Sequence, residues 1–101
     1  MKIYEIREGR DVRYLDASIC DGKLRLSGQD IGPTVEKFFG ENEYEFWYDF
    51  SVDDTNRLKL LFHTDDLLVA LKEYFDNQDC LESFCLLCKE SGIDYSTFSW
   101  F

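Results

Sequence analysis

The chain is poor in basic residues and lacks long apolar runs. Only 11 of its 101 residues are lysine or arginine, against 21 aspartates and glutamates, which leaves a net charge of -10 at pH 7. Such a charge repels nucleic acid phosphates and anionic membranes, so we expect neither as a partner. No apolar run is long enough to cross a bilayer, and the first residues lack a signal-peptide core. These absences predict a cytoplasmic protein.

The composition favours one folded domain. Hydrophobic residues make up 45% of the chain and aromatic residues 17%, against 32% charged residues. This is enough apolar surface to form a core, and it excludes wholesale disorder. Two domains in a chain of this length would each be too small to bury a core. We expect a single domain over 1–101, as a monomer or homodimer, with no cofactor.

The negative charge is unevenly distributed. Residues 1–30 carry equal numbers of acidic and basic side chains, so the whole excess lies in 31–101. Its densest part contains no lysine or arginine and carries Glu41, Glu43, Glu45, Asp49, Asp53 and Asp54. A basic partner could dock there, and the alternative is a solvated face that keeps a small protein soluble.

Three of the four cysteines are closely spaced in the pattern C-x4-C-x2-C: Cys80, Cys85 and Cys88. A structural zinc site needs four ligands, usually in two separated pairs, and only Cys20 and His63 remain to complete one. On a helix, the last two cysteines share a side with Leu81 and Phe84. We therefore predict reduced thiols in the core and no metal site.

Two sharp alternations of apolar and polar residues predict strands. The first surrounds Asp21-Gly22, which favours a type I′ hairpin because both positions need positive φ. Closing it there pairs Ile19 with Leu24, Ala17 with Leu26, Leu15 with Gly28, Ser18 with Arg25 and Asp16 with Ser27. The second alternation covers 43–52 and turns one set of side chains to the core: Tyr44, Phe46, Tyr48, Phe50 and Val52. A weaker strand is expected over 2–7, and residues 93–101 could form a strand or lie extended.

Helical spacing dominates elsewhere. Gly32-Pro33 and Gly40 bound a short helix, preceded by a turn over 28–33 in which Asp30 bonds to backbone amides. Ser51 and Thr64 cap two further helices, and a third is expected from about 77 to 91. Strands before helices predict an α+β fold, with an antiparallel sheet of about four strands covered on one face by three to four helices.

The face of the second strand that points away from the core is the predicted contact surface. Trp47 lies there between Glu45 and Asp49, a setting that suits an arginine-rich or lysine-rich partner through cation-π contacts and ion pairs. The full predicted surface consists of Glu41, Glu43, Glu45, Trp47 and Asp49. The alternative is that a second layer or a dimer mate covers the tryptophan.

No motif indicates an enzyme. The glycines around Asp30 lack the spacing of a phosphate-binding loop. His63 is the only histidine, has no nucleophile elbow nearby, and is interpreted as a helix-end residue. A concave pocket that held Asp30 and His63 together would favour a binder of small cationic molecules, or an enzyme, instead.

One pattern joins a glycine turn, an acidic aromatic strand and an aromatic end: Leu26 to Pro33, Val35-Glu36, Phe39-Gly40, Glu43 to Glu45, Trp47, and Gly92-Ile93 through Tyr95 to Trp100. It covers most of the chain and resembles a family of small uncharacterised acidic bacterial proteins. The turn and the strand after it are its most distinctive part. By analogy of size and charge, such proteins look like immunity proteins that neutralise a toxin. The resemblance supplies no catalytic residues.

These observations predict an acidic cytoplasmic protein-binding module that recognises a basic protein, such as a toxin domain that it neutralises. The first alternative is a small-molecule binder or enzyme that uses a pocket near Asp30 and His63. The second alternative is a nucleic-acid mimic, which needs carboxylates spaced like phosphates over a long surface. Several carboxylates are already expected to cap helices, so the mimic ranks third.

Overall fold

The structure, a computed structural model, describes residues 1–40, 43–78 and 81–100, apart from the side chains of residues 38, 39, 77 and 78. Its elements in chain order are β1 Lys2–Glu8, β2 Asp11–Cys20, β3 Lys23–Ile31, α1 Pro33–Phe39, β4 Glu43–Asp49, α2 Val52–Leu61, α3 Leu67–Gln78, α4 Leu81–Glu90 and β5 Ser96–Trp100. The strands of this part form one antiparallel sheet in the order β1-β2-β3-β4-β5. The α+β prediction is confirmed, with five strands instead of about four.

The hairpin between β2 and β3 has the predicted register. Ile19 lies opposite Leu24 and Leu15 opposite Gly28, and the three other expected pairs also form. The turn has φ 54° at Asp21 and 77° at Gly22, the positive values that a type I′ turn requires. The alternation of apolar residues and the turn dipeptide agree, so the register was predictable.

The turn expected over 28–33 is wrong. Asp30 lies in β3, where it pairs with Arg13 of β2 and Tyr44 of β4. Because β3 has a partner strand on both sides, its ladder continues to Ile31, and the chain turns only at Gly32, with φ 135°. Asp30 is therefore a strand residue with its side chain on a face of the sheet.

The core lies between the helices and one face of the sheet, which we call the inner face. Phe50 sits there, with its ring centroid 6.2 Å from that of Phe84 on α4. The buried cluster consists of Ile3, Leu15, Ala17, Leu24, Leu26, Phe50, Leu58, Leu67, Leu71, Phe75, Phe84, Cys88 and Ile93. Residues from β1, β2, β3 and all three later helices meet in this cluster, which holds the two layers together.

One part of the predicted core strand is wrong. Val52 belongs to α2 and is 41% exposed, because Ser51 ends the extended segment by capping this helix. The side chains of Tyr44, Phe46 and Tyr48 are only half-buried, although they do face inwards. The helices cover the end of the inner face near Phe50 and leave these three rings partly open.

Side-chain hydrogen bonds fix the helices to the sheet. The Ser51 Oγ accepts from the Asp54 backbone N–H at 3.0 Å, the predicted cap. Fully buried Thr55 donates to the Ser51 carbonyl at 2.7 Å and accepts from the Leu24 N–H of β3 at 2.9 Å. At α3 the capping side chain is Asp66, which accepts from the Val69 N–H at 3.3 Å, while Thr64 accepts from the Asp66 N–H at 3.0 Å just before the helix. Since α3 continues through Gln78, the third predicted helix does not begin at 77; α4 begins at Leu81.

Candidate binding sites on the two sheet faces

The sheet face that points away from the helices, the outer face, carries an aromatic strip. Trp47 of β4 is half-buried and pairs with Phe98 of β5, with 5.3 Å between the ring centroids. Trp100 belongs to the next residue pair on the same face of β4 and β5, where it lies opposite Glu45. Phe98 is 58% exposed and Trp100 64%. We call Trp47, Phe98 and Trp100 the outer aromatic strip; its two β5 members are open to solvent.

The acidic residues beside this strip differ in their pairing. Asp49 accepts two hydrogen bonds from Arg25, at 2.6 and 3.0 Å, and this arginine holds the pKa of the Asp49 carboxyl below its ordinary value. Glu45 accepts a longer bond of 3.4 Å from Gln29. Within the described part of the chain, no lysine or arginine pairs with Glu43 or Glu45. Of the predicted surface, these two glutamates therefore remain available to a cation. The charge of Asp49 is already balanced by its ion pair with Arg25.

A shallow hollow of about 400 Å³ lies beside the strip on the outer face. It is lined by Lys2, Tyr14, Asp16, Ser27, Gly28, Gln29, Glu45 and Trp47. The Lys2 ammonium lies 5.6 Å from the centroid of the Tyr14 ring, so a cation-π contact already forms at its rim. Carboxylates and aromatic rings thus share one concave surface. The predicted contact residue Glu41 lies outside the described residues.

The predicted contact surface included Trp47 but not Phe98 or Trp100. The signal was present, because Ser96, Phe98 and Trp100 are spaced by two and must share one face of any strand. What was missing was the position of this strand. Its pairing beside β4 is a long-range contact that no local pattern indicates.

The inner face carries a second cavity, at the end that the helices leave open. Its volume is about 580 Å³, and its lining comes from four strands and α4: Tyr4, Ile6, Arg13, Asp30, Tyr44, Phe46, Tyr48, Leu81, Glu82 and Cys85. A smaller cavity of about 190 Å³ shares Ile6, Arg13 and Asp30 with it and continues towards α1. We call the two together the inner groove. Asp30 lies where they join.

Asp30 is the unusual group of the inner groove. Its side chain is half-buried, and this burial raises the pKa of the carboxyl, while Arg13 across the strands acts in the opposite direction. In the described part of the chain the carboxylate receives no hydrogen bond, and it lies beyond ion-pair distance of the arginine. By contrast, Asp11 at the groove end is bonded to the hydroxyl and the N–H of Thr34. Asp30 is thus partly desolvated, and in the described part of the chain Arg13 offsets this cost only through a longer-range attraction.

The floor of the groove depends on a glycine. Gly28 of β3 lies opposite Phe46 of β4, and a Cβ atom at residue 28 would overlap the Phe46 ring. The ring therefore lies across β3, where another residue would carry its side chain. The phenylalanine ring flanks Tyr44 and Tyr48, at 5.8 and 5.7 Å between centroids, so the three form a continuous aromatic surface.

His63 lies elsewhere. It follows the end of α2, is exposed, has φ 53°, and lines a different cavity with Lys59, Leu60 and Asp65 among others. This confirms its interpretation as a helix-end residue. The alternative that joins Asp30 and His63 in one pocket is wrong, because the ends of β3 and α2 lie at different places on the molecule.

The cysteines divide by position. Cys88 is buried, and burial raises the pKa of its thiol to about 12, as expected for a core cysteine. Cys85 is half-buried, and Cys20, for which no core position was predicted, is exposed. Cys80 lies outside the described residues. Among the side chains that the structure describes, no group of three or more histidines, cysteines or carboxylates is placed to hold a metal ion.

Comparisons of the chain with models of protein families, with curated proteins and with solved structures found no match. The resemblance to small acidic bacterial proteins therefore stays a prediction. None of the helices in the described part of the chain has both the length and the apolar character needed to span a membrane.

Proposed function

We propose that this chain is a protein-binding module whose outer sheet face docks an arginine-rich or lysine-rich segment of another protein. The observation that carries the proposal is the outer aromatic strip, in which Phe98 and Trp100 are more than half exposed beside Glu45, which has no basic partner in the described part of the chain. Large rings at this exposure are typical of recognition surfaces, where tryptophan and tyrosine contribute most binding energy.

The chemistry of the face selects a basic partner. Arginine and lysine side chains bind to the faces of tryptophan rings and form charge-assisted hydrogen bonds with carboxylates. Glu45 lies directly opposite Trp100, and Glu43 lies two residues before it on the same side of β4. One guanidinium group could therefore contact a ring and a carboxylate together. The net charge of -10 would speed the approach of a basic protein and slow that of an acidic one.

The position of β5 supports docking by an extended segment. This strand forms one edge of the sheet, and its sequence Ser96–Trp100 has no charged residue. Edge strands with free backbone N–H and C=O groups accept an added strand. A partner strand paired there would place alternate side chains next to the outer aromatic strip. A basic toxin domain neutralised by this chain is a partner of this chemistry.

A nucleic-acid mimic is less well supported. Asp54 is bonded to Arg57 and to Ser51, and Asp66 accepts from the N–H of Val69 at the start of α3. These carboxylates form hydrogen bonds and ion pairs within the helices. They therefore do not contribute to a row of exposed charges that would imitate the phosphates of a nucleic acid. Glu45 has no such role and lies opposite Trp100 of the outer aromatic strip, which favours a protein partner.

Tryptophan fluorescence gives a direct test. Both tryptophans of the chain belong to the outer aromatic strip, so their emission reports on this face alone. We expect a ten-residue peptide of alternating arginine and valine to change the emission saturably at low salt, and the affinity to fall as salt rises. Phe98→Ala and Glu45→Gln should each weaken binding roughly tenfold.

Matched variants on the helical side provide the controls. Leu60→Ala removes a side chain that is 75% exposed on α2, and Glu90→Gln removes one charge from α4; neither should alter peptide binding. Equal binding of a glutamate-valine peptide, or equal losses in these controls, would contradict the proposal. So would tryptophan emission that depends on protein concentration without peptide, because a second copy of the chain would then be covering the strip.

A further inference from the structure

We propose that the inner groove binds a small organic cation, an alkylammonium or quaternary ammonium compound, whose charge lies between Asp30 and the aromatic surface of β4. This site is separate from the outer face and does not depend on the function proposed for it. The argument rests on the shape of the groove, on its rings and on its unpaired carboxylates.

The groove exists because the described residues of the helices leave one end of the inner face open. Along β3, Leu24 and Leu26 are buried to 1% and 0% exposure, whereas Asp30 at the far end is half-buried. β2 shows the same gradient, from buried Leu15 to exposed Arg13. The volume of about 580 Å³ falls in the range of small-molecule sites, roughly 300–1,000 Å³. The space is therefore suited to a compact ligand.

The aromatic lining selects for positive charge. Tyr44, Phe46 and Tyr48 form the continuous surface over Gly28, and the faces of aromatic rings attract cations and repel anions. An alkylammonium group also buries its methyl or methylene groups against the rings, where a hydrated metal ion gains nothing. Rings of this kind with a nearby carboxylate are the usual environment in which proteins hold organic ammonium ions.

The charged groups of the lining point to the same class. Three carboxylates that accept no hydrogen bond in the described part of the chain line the groove, Glu8, Asp30 and Glu82, against the single cation Arg13. Glu8 and Glu82 lie towards opposite ends, and Asp30 lies between them. A bound ammonium ion would give the half-buried Asp30 carboxylate a direct ionic partner, which it lacks in the described part of the chain because Arg13 lies beyond ion-pair distance.

The test uses choline and its uncharged analogue 3,3-dimethylbutan-1-ol, which has nearly the same shape. We expect choline to shift, saturably, the amide and aromatic NMR signals of Asp30, Tyr44, Phe46 and Glu82, and the alcohol to bind at least roughly tenfold more weakly. Tryptophan emission should stay unchanged during the titration, since neither tryptophan lines the groove.

Two variants of equal charge separate the faces. Asp30→Asn should weaken choline binding by roughly tenfold. Asp16→Asn removes the same charge from the hollow on the outer face and should leave binding unchanged. Both variants should give wild-type amide spectra away from the substitution. Equal affinity for choline and the alcohol, wild-type binding by Asp30→Asn, or signal shifts centred on the outer aromatic strip would each overturn the proposal.

Discussion

The two faces of the sheet carry similar side chains but differ in what covers them. On the inner face, the helices bury Leu24, Leu26 and Phe50 and leave Asp30 in an open groove. The outer face has no covering layer in the described part of the chain, and the exposed ring of Trp100 stands at its edge. Large rings therefore occur both in the core and on the surface beside the same sheet. Chemical type alone does not distinguish them, because burial depends on the layer above.

The largest expected difference between the two faces is a difference in stability, which one phenylalanine from each face can test. Phe50→Ala should lower the free energy of unfolding by about 3–5 kcal/mol, because it opens a cavity beside Phe84 and Tyr95. Phe98→Ala removes the same atoms from a side chain that is 58% exposed and should cost about 1 kcal/mol or less. Urea denaturation measures both. Equal losses would mean that the outer face is also part of the core.

A second comparison concerns adjacent residues of β3. Gly28→Ala should lower the free energy of unfolding by about 1–3 kcal/mol, because the new methyl group displaces the Phe46 ring from the groove floor. Ser27→Ala, one residue earlier on the outer face, should change it by less than about 0.5 kcal/mol. Thermal and urea unfolding of the pair would show whether the ring lies over the glycine. A neutral Gly28→Ala variant would contradict this geometry.

The smallest effect is expected from pH, where the aspartates of the two faces should behave in opposite ways. Burial raises the pKa of Asp30 above its ordinary value of 3.8, so its ionisation destabilises the folded state as pH rises through the raised value. Hydrogen bonds from Arg25 lower the pKa of Asp49, so its stabilisation is present above 3.8 and is lost as pH falls through the lowered value.

Two substitutions of equal charge test this opposition by urea denaturation between about pH 2.5 and 7. Asp30→Asn should match the wild type at the acidic end and become the more stable protein as pH rises. Asp49→Asn should be less stable than the wild type at pH 7, with a difference that shrinks in acid. If both substitutions changed the free energy of unfolding in the same direction as pH rises, the two carboxylates would share one kind of environment.

Local patterns predicted those parts of the fold in which neighbouring residues decide the outcome. The register around Asp21-Gly22 was correct because the turn dipeptide and the alternation require the same pairing. The turn over 28–33 was wrong for the opposite reason. Gly28 and Asp30 are typical turn residues, but pairing with β2 and β4 keeps them extended.

The candidate sites, like the fold, were predicted from the sequence only where residues close in the chain determine the arrangement. Trp47, Glu43 and Glu45 were assigned to one face from the alternation within one strand, which determines the face of each residue. Phe98 and Trp100 were not included because β5 is far from β4 in the sequence. The two strands pair only in the folded structure, and no local pattern indicates that contact. The groove around Asp30 was expected only together with His63, and the structure separates these two residues.

The order of side chains along the chain determined which residues share a face of each strand or helix, where the hairpin turns, and that acidic residues greatly outnumber basic ones. These properties follow from backbone geometry and composition, which act over a few residues or on the whole chain at once. Only the tertiary structure decided that an open groove remains at Asp30 between the sheet and the helices and that β5 brings Trp100 beside Glu45. Both outcomes depend on contacts between distant segments, whose free energies arise only after the layers have packed together.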